Sequence, residues 1–382
     1  MCGCLPRATP ATFASANLFC TAQRPEPLPH GLRIEQRPDP STPRLRGEYA
    51  VVQTLADRAF ATSPVPLIVS TEMRMLGLRA ADPQLRRVRS GVHARRDLYA
   101  ALRPWQRYAA RVHAFVRTHP DAILCLESAA VLHGLPHFGE TALIHVLADA
   151  GEKSRRFGDV AVHSSVDPRG LTSIAGIHCT DLIDTAIDLT RVLSPAKGLA
   201  VADAAMSPFQ GGTVQRSFVD ETLGGQASSR GRARARWVWA NADQRSESPG
   251  ESLSRAVIAW CGFETPELQT EFTYERARDR ADFFFPSCGA IGEADGWAKY
   301  DLDDPDAAAQ RLADEKRRED RLRRNGHPLA RWDLADVWKV DPLRRALLAA
   351  DVPLLRPPLQ GMLASLSLSP REVPRPRRAP RS

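Results

Sequence analysis

Apolar positions recur at helical spacing through the first third of the chain. They predict helices over 48–60, 71–77, 81–89, 105–118 and 127–133. Beyond Pro136 the pattern changes. Short apolar runs at 142–148 and 160–164 predict strands, and 180–193 predicts a helix with Ile183, Ala186, Ile187 and Leu193 on one side. The last third is clearer. Ser248 can cap a helix with Pro249 at its first position and Glu251 in its first turn, running to Gly262. Residues 266–275, 279–286 and 289–300 read as three strands, the last entering a turn at Gly296. A long charged helix over about 305–325 ends at Gly326, and 328–332 reads as a final strand.

These elements predict an α/β (α+β) chain with several parts. Residues 1–46 read as a disordered leader, because eight prolines lie between Pro6 and Pro43 and no apolar period is visible. A winged-helix-like region over 47–135 and a mixed α/β middle region over 136–225 follow. Gly224-Gly225 and the arginine-rich stretch at 228–236 suggest a basic linker over 226–245. A third region spans 246–348, and a Pro/Arg-rich tail 349–382. No run of 18 apolar residues exists, so no membrane-spanning helix is expected, and the first twenty residues lack the basic start and apolar stretch of a secretory signal. The seven cysteines are scattered with no C-x-x-C pair, which argues against a disulfide scaffold or structural zinc and for a reducing cytoplasm.

Net charge is +7, and only five of the 52 basic residues are lysines. A GC-rich genome produces that skew unaided, so the placement of the arginines carries more information than their number. In residues 70–96, Ser70 or Thr71 can cap a short helix ending at Gly77, and Asp82-Pro83 can open a second. That second helix would carry Arg86, Arg87 and Arg89. Gly91 would break it, and Val92-His93-Ala94 would form a strand leading into Arg95 and Arg96. Two short helices, the second basic, followed by a β-wing are the geometry that sets a helix in a major groove. Here the chain resembles the N-terminal domain of AbiEi-type antitoxins from type IV toxin–antitoxin systems. The resemblance extends through RYAARVHAFVRTHPDAILCLESAAVLHGLP at 107–136 and covers roughly residues 50–215. It implies binding of double-stranded operator DNA by Arg86, Arg87, Arg89, Arg95 and Arg96, and a cognate toxin as partner. His133 and His137 are four apart, but Gly134 and Pro136 interrupt the helix between them. That stretch reads as a helix-ending turn rather than a metal site.

The acids of the third region form a second pattern. Asp282 lies on one strand and Glu293 on the next, where a short turn can set them side by side. Glu293 and Asp295 share a face, and Glu251 can approach from a helix start. Hard divalent cations take such oxygen ligands, and phosphodiester hydrolysis uses such a cation. This pattern resembles the PD-(D/E)xK restriction-endonuclease-like superfamily, in the branch related to very-short-patch-repair endonucleases. In that resemblance Asp282 is the strand aspartate and Glu293 the acid of the next strand. Asp295-Gly296 matches a DG pair and Lys299 the basic residue after it. Arg318-Glu319-Asp320-Arg321-Leu322 to Gly326 matches a helix end, and Arg331-Trp332 the last strand. One departure stands out: Asp295 occupies the position where the superfamily usually has lysine, so Lys299 would have to reach back to steady charge.

Three functions follow from the sequence, the third being a protein-interaction scaffold with no nucleic-acid contact. In the first, Glu251, Asp282 and Glu293 hold Mg²⁺ or Mn²⁺, with Asp295 and Lys299 assisting hydrolysis of DNA. In the second, the chain is a non-enzymatic antitoxin-like transcriptional regulator with a degenerate nuclease fold.

Overall fold

A computed structural model describes residues 52–148, 151–295, 305–368 and 370–373. The expected leader over 1–46 lies outside them, as do Gly296 and Lys299.

The first element is one turn of helix, α1 (Leu55–Arg58), closed by a capping box between Thr54 and Asp57. Ala59 is already extended, so the helix expected over 48–60 is a single turn where it is described. Strand β1 (Ile68–Val69) leads into α2 (Ser70–Met75), and Gly77 follows in the left-handed conformation. The second expected helix does not form. Asp82-Pro83 makes a turn instead, in which the Leu85 amide bonds the Asp82 carbonyl at 3.0 Å. Residues Leu85–Arg89 are strand β2, paired antiparallel with β3 (Val92–Arg95) across a Ser90-Gly91 turn with Gly91 at φ +73°. The sheet order is β1-β3-β2. Leu85, Val92 and Ala94 turn inward there, so apolar spacing that fits a helix is used by a hairpin.

Helices α3 (Arg96–Ala101), α4 (Pro104–Val116) and α5 (Leu126–His133) follow, the last ending on Gly134 at φ +71°. Strands β4 (Ile144–Leu147), β5 (Arg155–Phe157) and β6 (Val160–His163) form a sheet in the order β4-β6-β5. A hairpin of β7 (Leu171–Ile174) and β8 (Ile177–Thr180) leads to α6 (Leu182–Val192), which Asp181 caps. Helices α7 (Pro195–Met206), α8 (Arg216–Gly225) and α9 (Arg232–Asn241) complete this part.

The expected linker is therefore not a linker. Gly224-Gly225 closes α8, and most of the basic stretch is α9. Ala235, Val238 and Trp239 are fully buried on one face, at the i, i+3, i+4 spacing of an amphipathic helix. The Trp239 indole donates to Thr190 Oγ1 at 3.1 Å. Gly231 begins the helix at φ +69°, where a Cβ would lie 2.3 Å from the Arg191 carbonyl oxygen.

Helix α10 (Pro249–Cys261) carries the Ser248 cap and the Gly262 stop that its sequence predicts. Strands β9 (Glu267–Tyr274), β10 (Ala277–Phe285) and β11 (Ala290–Asp295) form an antiparallel meander. Helix α11 (Pro305–Arg324) then crosses over to β12 (Leu329–Asp333), which runs parallel to β11. One face of the sheet, through Phe283, Phe285, Ala290, Ala330 and Trp332, packs on α10 with Leu253, Val257 and Trp260. On the other face Ala281 and Ile291 meet Leu322 of α11. Burying each of these large side chains contributes roughly 1.5–3 kcal/mol.

After α12 (Leu334–Lys339) and α13 (Asp341–Ala349), the Pro/Arg-rich tail expected over 349–382 makes specific contacts with the rest of the chain as far as Val373. Leu359 donates its amide to the Trp260 carbonyl at 2.7 Å ahead of α14 (Gln360–Ala364). Farther on, Arg371 and Val373 exchange backbone hydrogen bonds with Ala142 and Glu140. The Arg371 guanidinium grips buried Glu127 through two bonds, and Glu372 pairs with Lys197. Residues 374–382 lie outside the described residues. Among the described residues no helix is long and apolar enough to cross a membrane.

Candidate functional site

Strand β11 presents Ile291, Glu293 and Asp295 on the face that meets α11, as two-residue alternation requires. Both acids are met by arginines. Arg318 of α11 donates to Glu293 Oε1 at 2.6 Å and to the Arg280 carbonyl at 2.6 Å. Burial opposes the Arg318 charge, but Glu293, Asp282 and Asp279 outweigh it and raise its pKa. Arg331 of β12 holds Asp295 at 2.6 Å and also pairs with Glu315 and Glu319 from α11. Burial works against that charge too, and hydrogen bonds to the three acids overcome it.

Asp282 completes this group. The register pairs Phe283 with Gly292, so Asp282 and Glu293 are each the next residue along neighbouring strands. Asp282 Oδ2 accepts the Ala294 amide at 3.0 Å. Its carboxylate thus binds the backbone of β11 between Glu293 and Asp295. The structure brings these three acids onto adjoining strands, and the sequence spacing located all of them.

Glu251 belongs to a second group, on the α10 side. It is 6% exposed, and its Oε2 accepts the Glu247 amide at 2.9 Å and the Gln269 amide group at 3.0 Å. Burial pushes its pKa up to about 7, against the pull of those hydrogen bonds and with the neighbouring Glu247 charge adding to the rise. Burial also raises Glu247, with Arg280 opposing at 2.6 Å. Glu247 Oε1 is buried with no hydrogen-bond partner among the described residues. Gln269 adopts φ +55°, an uncommon left-handed conformation for a non-glycine residue within a strand. Among the described residues Glu251 does not join Asp282 and Glu293 in one hydrogen-bonded set. No three His, Cys, Asp or Glu side chains there form a group able to hold a metal ion.

The expected DNA-contacting arginines lie on the hairpin and the start of α3, not on a helix of their own. Arg86 sits with its guanidinium 4.9 Å from the Tyr99 ring centre and Arg87 is exposed. Arg89 is held by Asp159 and stacks over Phe115, so it is part of the packing. Arg95 pairs with Asp97, and Arg96 donates to the Pro83 and Leu85 carbonyls at 2.7 and 3.0 Å. His133 and His137 bond backbone carbonyls, in keeping with a turn.

Two proteins of Mycobacterium tuberculosis are similar to this chain: Uncharacterized protein MT2308 from strain CDC 1551 / Oshkosh and Uncharacterized protein Rv2248 from strain H37Rv. Each is 32% identical over 198 residues, which cover 51% of this chain and 68% of the relative. This chain belongs to their family. No family model matches the chain.

Sequence reasoning missed Glu247 and Arg280, and it named Arg318 and Arg331 only as motif matches, without their pairing to Glu293 and Asp295. Helical spacing alone would pair the arginines of α11 with acids on their own helix. Arg317 does pair with Asp314 in that way, but Arg318 and Arg321 reach across to Glu293 and Asp279 on the sheet. The readable signal was their spacing of three, which puts both on the face that Leu322 buries.

Proposed function

We propose that this protein binds double-stranded DNA and that its C-terminal sheet carries a divalent-metal-dependent site for phosphodiester hydrolysis. The observation that carries this reading is the Asp282 carboxylate bound to the Ala294 amide, between Glu293 and Asp295. Mg²⁺ commonly takes one or two protein carboxylates and completes its shell with water and substrate phosphate, so Asp282 and Glu293 suffice in kind. When bound, Mg²⁺ or Mn²⁺ would polarise a phosphoryl oxygen and lower the pKa of a water. Arg318 fixes the Glu293 carboxylate, and Arg331 fixes Asp295. Glu251, with its pKa about 7, is able to hold or release a proton near neutrality. Arg86, Arg87, Arg95 and Arg96, exposed around the β2–β3 hairpin, supply positive charge for a phosphate backbone. The cysteines Cys125, Cys179, Cys261 and Cys288 are free thiols, which suits action in a reducing cytoplasm.

One observation favours the second reading, an antitoxin-like regulator acting at an operator beside a cognate toxin. Glu293 and Asp295 already have cations in Arg318 and Arg331, which a binding-only sheet would keep. Incubation with supercoiled plasmid separates the two: nicking that needs Mg²⁺ or Mn²⁺ and stops with chelator supports hydrolysis. Salt-dependent duplex binding without nicking leaves the regulator.

A further inference from the structure

Phe209 is half exposed at 49%, in a turn whose backbone is hydrogen-bonded on both sides of it. It sits in the turn after α7, closed by bonds from Gln210 and Gly212 to the Ser207 carbonyl at 3.1 and 2.7 Å. The neighbouring Gln210 is fully buried and pins the turn at both ends. Its side-chain amide donates to the Ser246 carbonyl at 2.9 Å, and its own carbonyl accepts the Leu55 amide at 2.6 Å. Ser246 immediately precedes Glu247, so the turn is anchored beside the Glu247–Glu251 pair. Arg280 makes the second link. Its guanidinium lies 6.0 Å from the Phe209 ring centre and bonds Glu247 Oε2 at 2.6 Å, while its carbonyl accepts Arg318, the partner of Glu293. The ring therefore stands beside the Glu247–Glu251 group on the α10 side, with the Arg280–Glu247 ion pair next to it.

We propose that Phe209 forms a stacking platform for an unpaired DNA base, which positions a locally single-stranded segment beside the Glu247–Glu251 group. The inference rests on the DNA-processing reading above and adds the form of the substrate. A flat, exposed aromatic face accepts any base by stacking. A base within duplex already has stacked neighbours and gains nothing from such a ring. The preference is thus for unpaired over paired DNA rather than for one sequence.

The test is fluorescence anisotropy on the full chain in EDTA, using a labelled 20-nucleotide single strand and the fully paired duplex of the same sequence. Because Phe209 is half exposed, Phe209→Ala keeps the fold, which thermal melting checks. The expected result is single-strand affinity weakened roughly tenfold in Phe209→Ala and retained in Phe209→Trp, with duplex affinity changed less than twofold. Single-strand affinity equal to wild type in Phe209→Ala overturns the platform while leaving the DNA-binding reading intact. A wild-type chain that binds neither probe overturns both.

Discussion

Arg318 on α11 and Glu293 on β11 are joined at 2.6 Å, and the same guanidinium nitrogen bonds the Arg280 carbonyl on β10. One side chain therefore ties the crossover helix to two strands and fixes an acid of the candidate site. Replacing Arg318 with leucine leaves Glu293 mostly buried without this cation. Stability should fall by about 2 kcal/mol, below the 3–5 kcal/mol of fully buried pairs because solvent still reaches the site. Urea denaturation with an unchanged m value checks this, and Arg318→Lys should recover only part of the loss.

Glu251 makes stability depend on pH near neutrality. Its folded pKa of about 7 lies above its ordinary 4.5, so folding favours the protonated form. The stabilisation is full below pH 4.5 and is lost as pH rises through 7. Glu251→Gln should remove that dependence and raise stability at pH 8 by up to about 3 kcal/mol. Melting curves at pH 5 and pH 8 test the sign: a Glu251→Gln chain that gains equally at both contradicts it.

Glu127 works in the opposite sense. Arg371 outweighs its burial and holds its pKa at about 2, below the ordinary 4.5. This contribution is present above pH 4.5 and lost as pH falls toward 2. Arg371→Ala leaves a buried carboxylate without its cation and should cost about 3 kcal/mol at pH 7. An unchanged melting temperature would mean that the packed segment after α14 adds nothing to the fold.

Helix α9 distinguishes a packed element from a linker. Trp239 is fully buried and bonded to Thr190, so Trp239→Ala should cost about 3–5 kcal/mol. A flexible connection would tolerate that change within about 0.5 kcal/mol.

For the basic hairpin, the informative set is Arg86, Arg87 and Arg95, since Arg89 is committed to Asp159. Changing all three to alanine should weaken duplex binding and flatten its salt slope by about one unit per lost phosphate contact. Binding with an unaltered slope would move the DNA surface elsewhere on the protein.

The C-terminal elements were legible because their punctuation is local. Ser248, Pro249 and Gly262 bound α10, and the short turn between Asp282 and Glu293 allows the register that sets them opposite each other. The hairpin at 85–95 was misread because Leu85 and Val88 are three apart, which suits a helix, and Asp82-Pro83 looks like a helix start. The Ser90-Gly91 turn decides for the hairpin, and only pairing between β2 and β3 reveals it. In α9 the Ala235-Val238-Trp239 face was visible, but the arginines around it suggested a linker. The pairing of Glu127 with Arg371 spans 244 residues, and no local pattern announces such a contact.

The central claim is that the Asp282–Glu293 region hydrolyses DNA with a divalent ion. The most direct measurement is the nicking rate of supercoiled plasmid by wild type and Glu293→Ala, in Mg²⁺, Mn²⁺ and chelator, with duplex affinity measured alongside. The account predicts metal-dependent nicking by wild type, stopped by chelator and abolished in Glu293→Ala, while the variant binds duplex as wild type does. A folded wild-type chain that binds duplex but nicks under neither metal, or a Glu293→Ala chain that nicks at the wild-type rate, contradicts it.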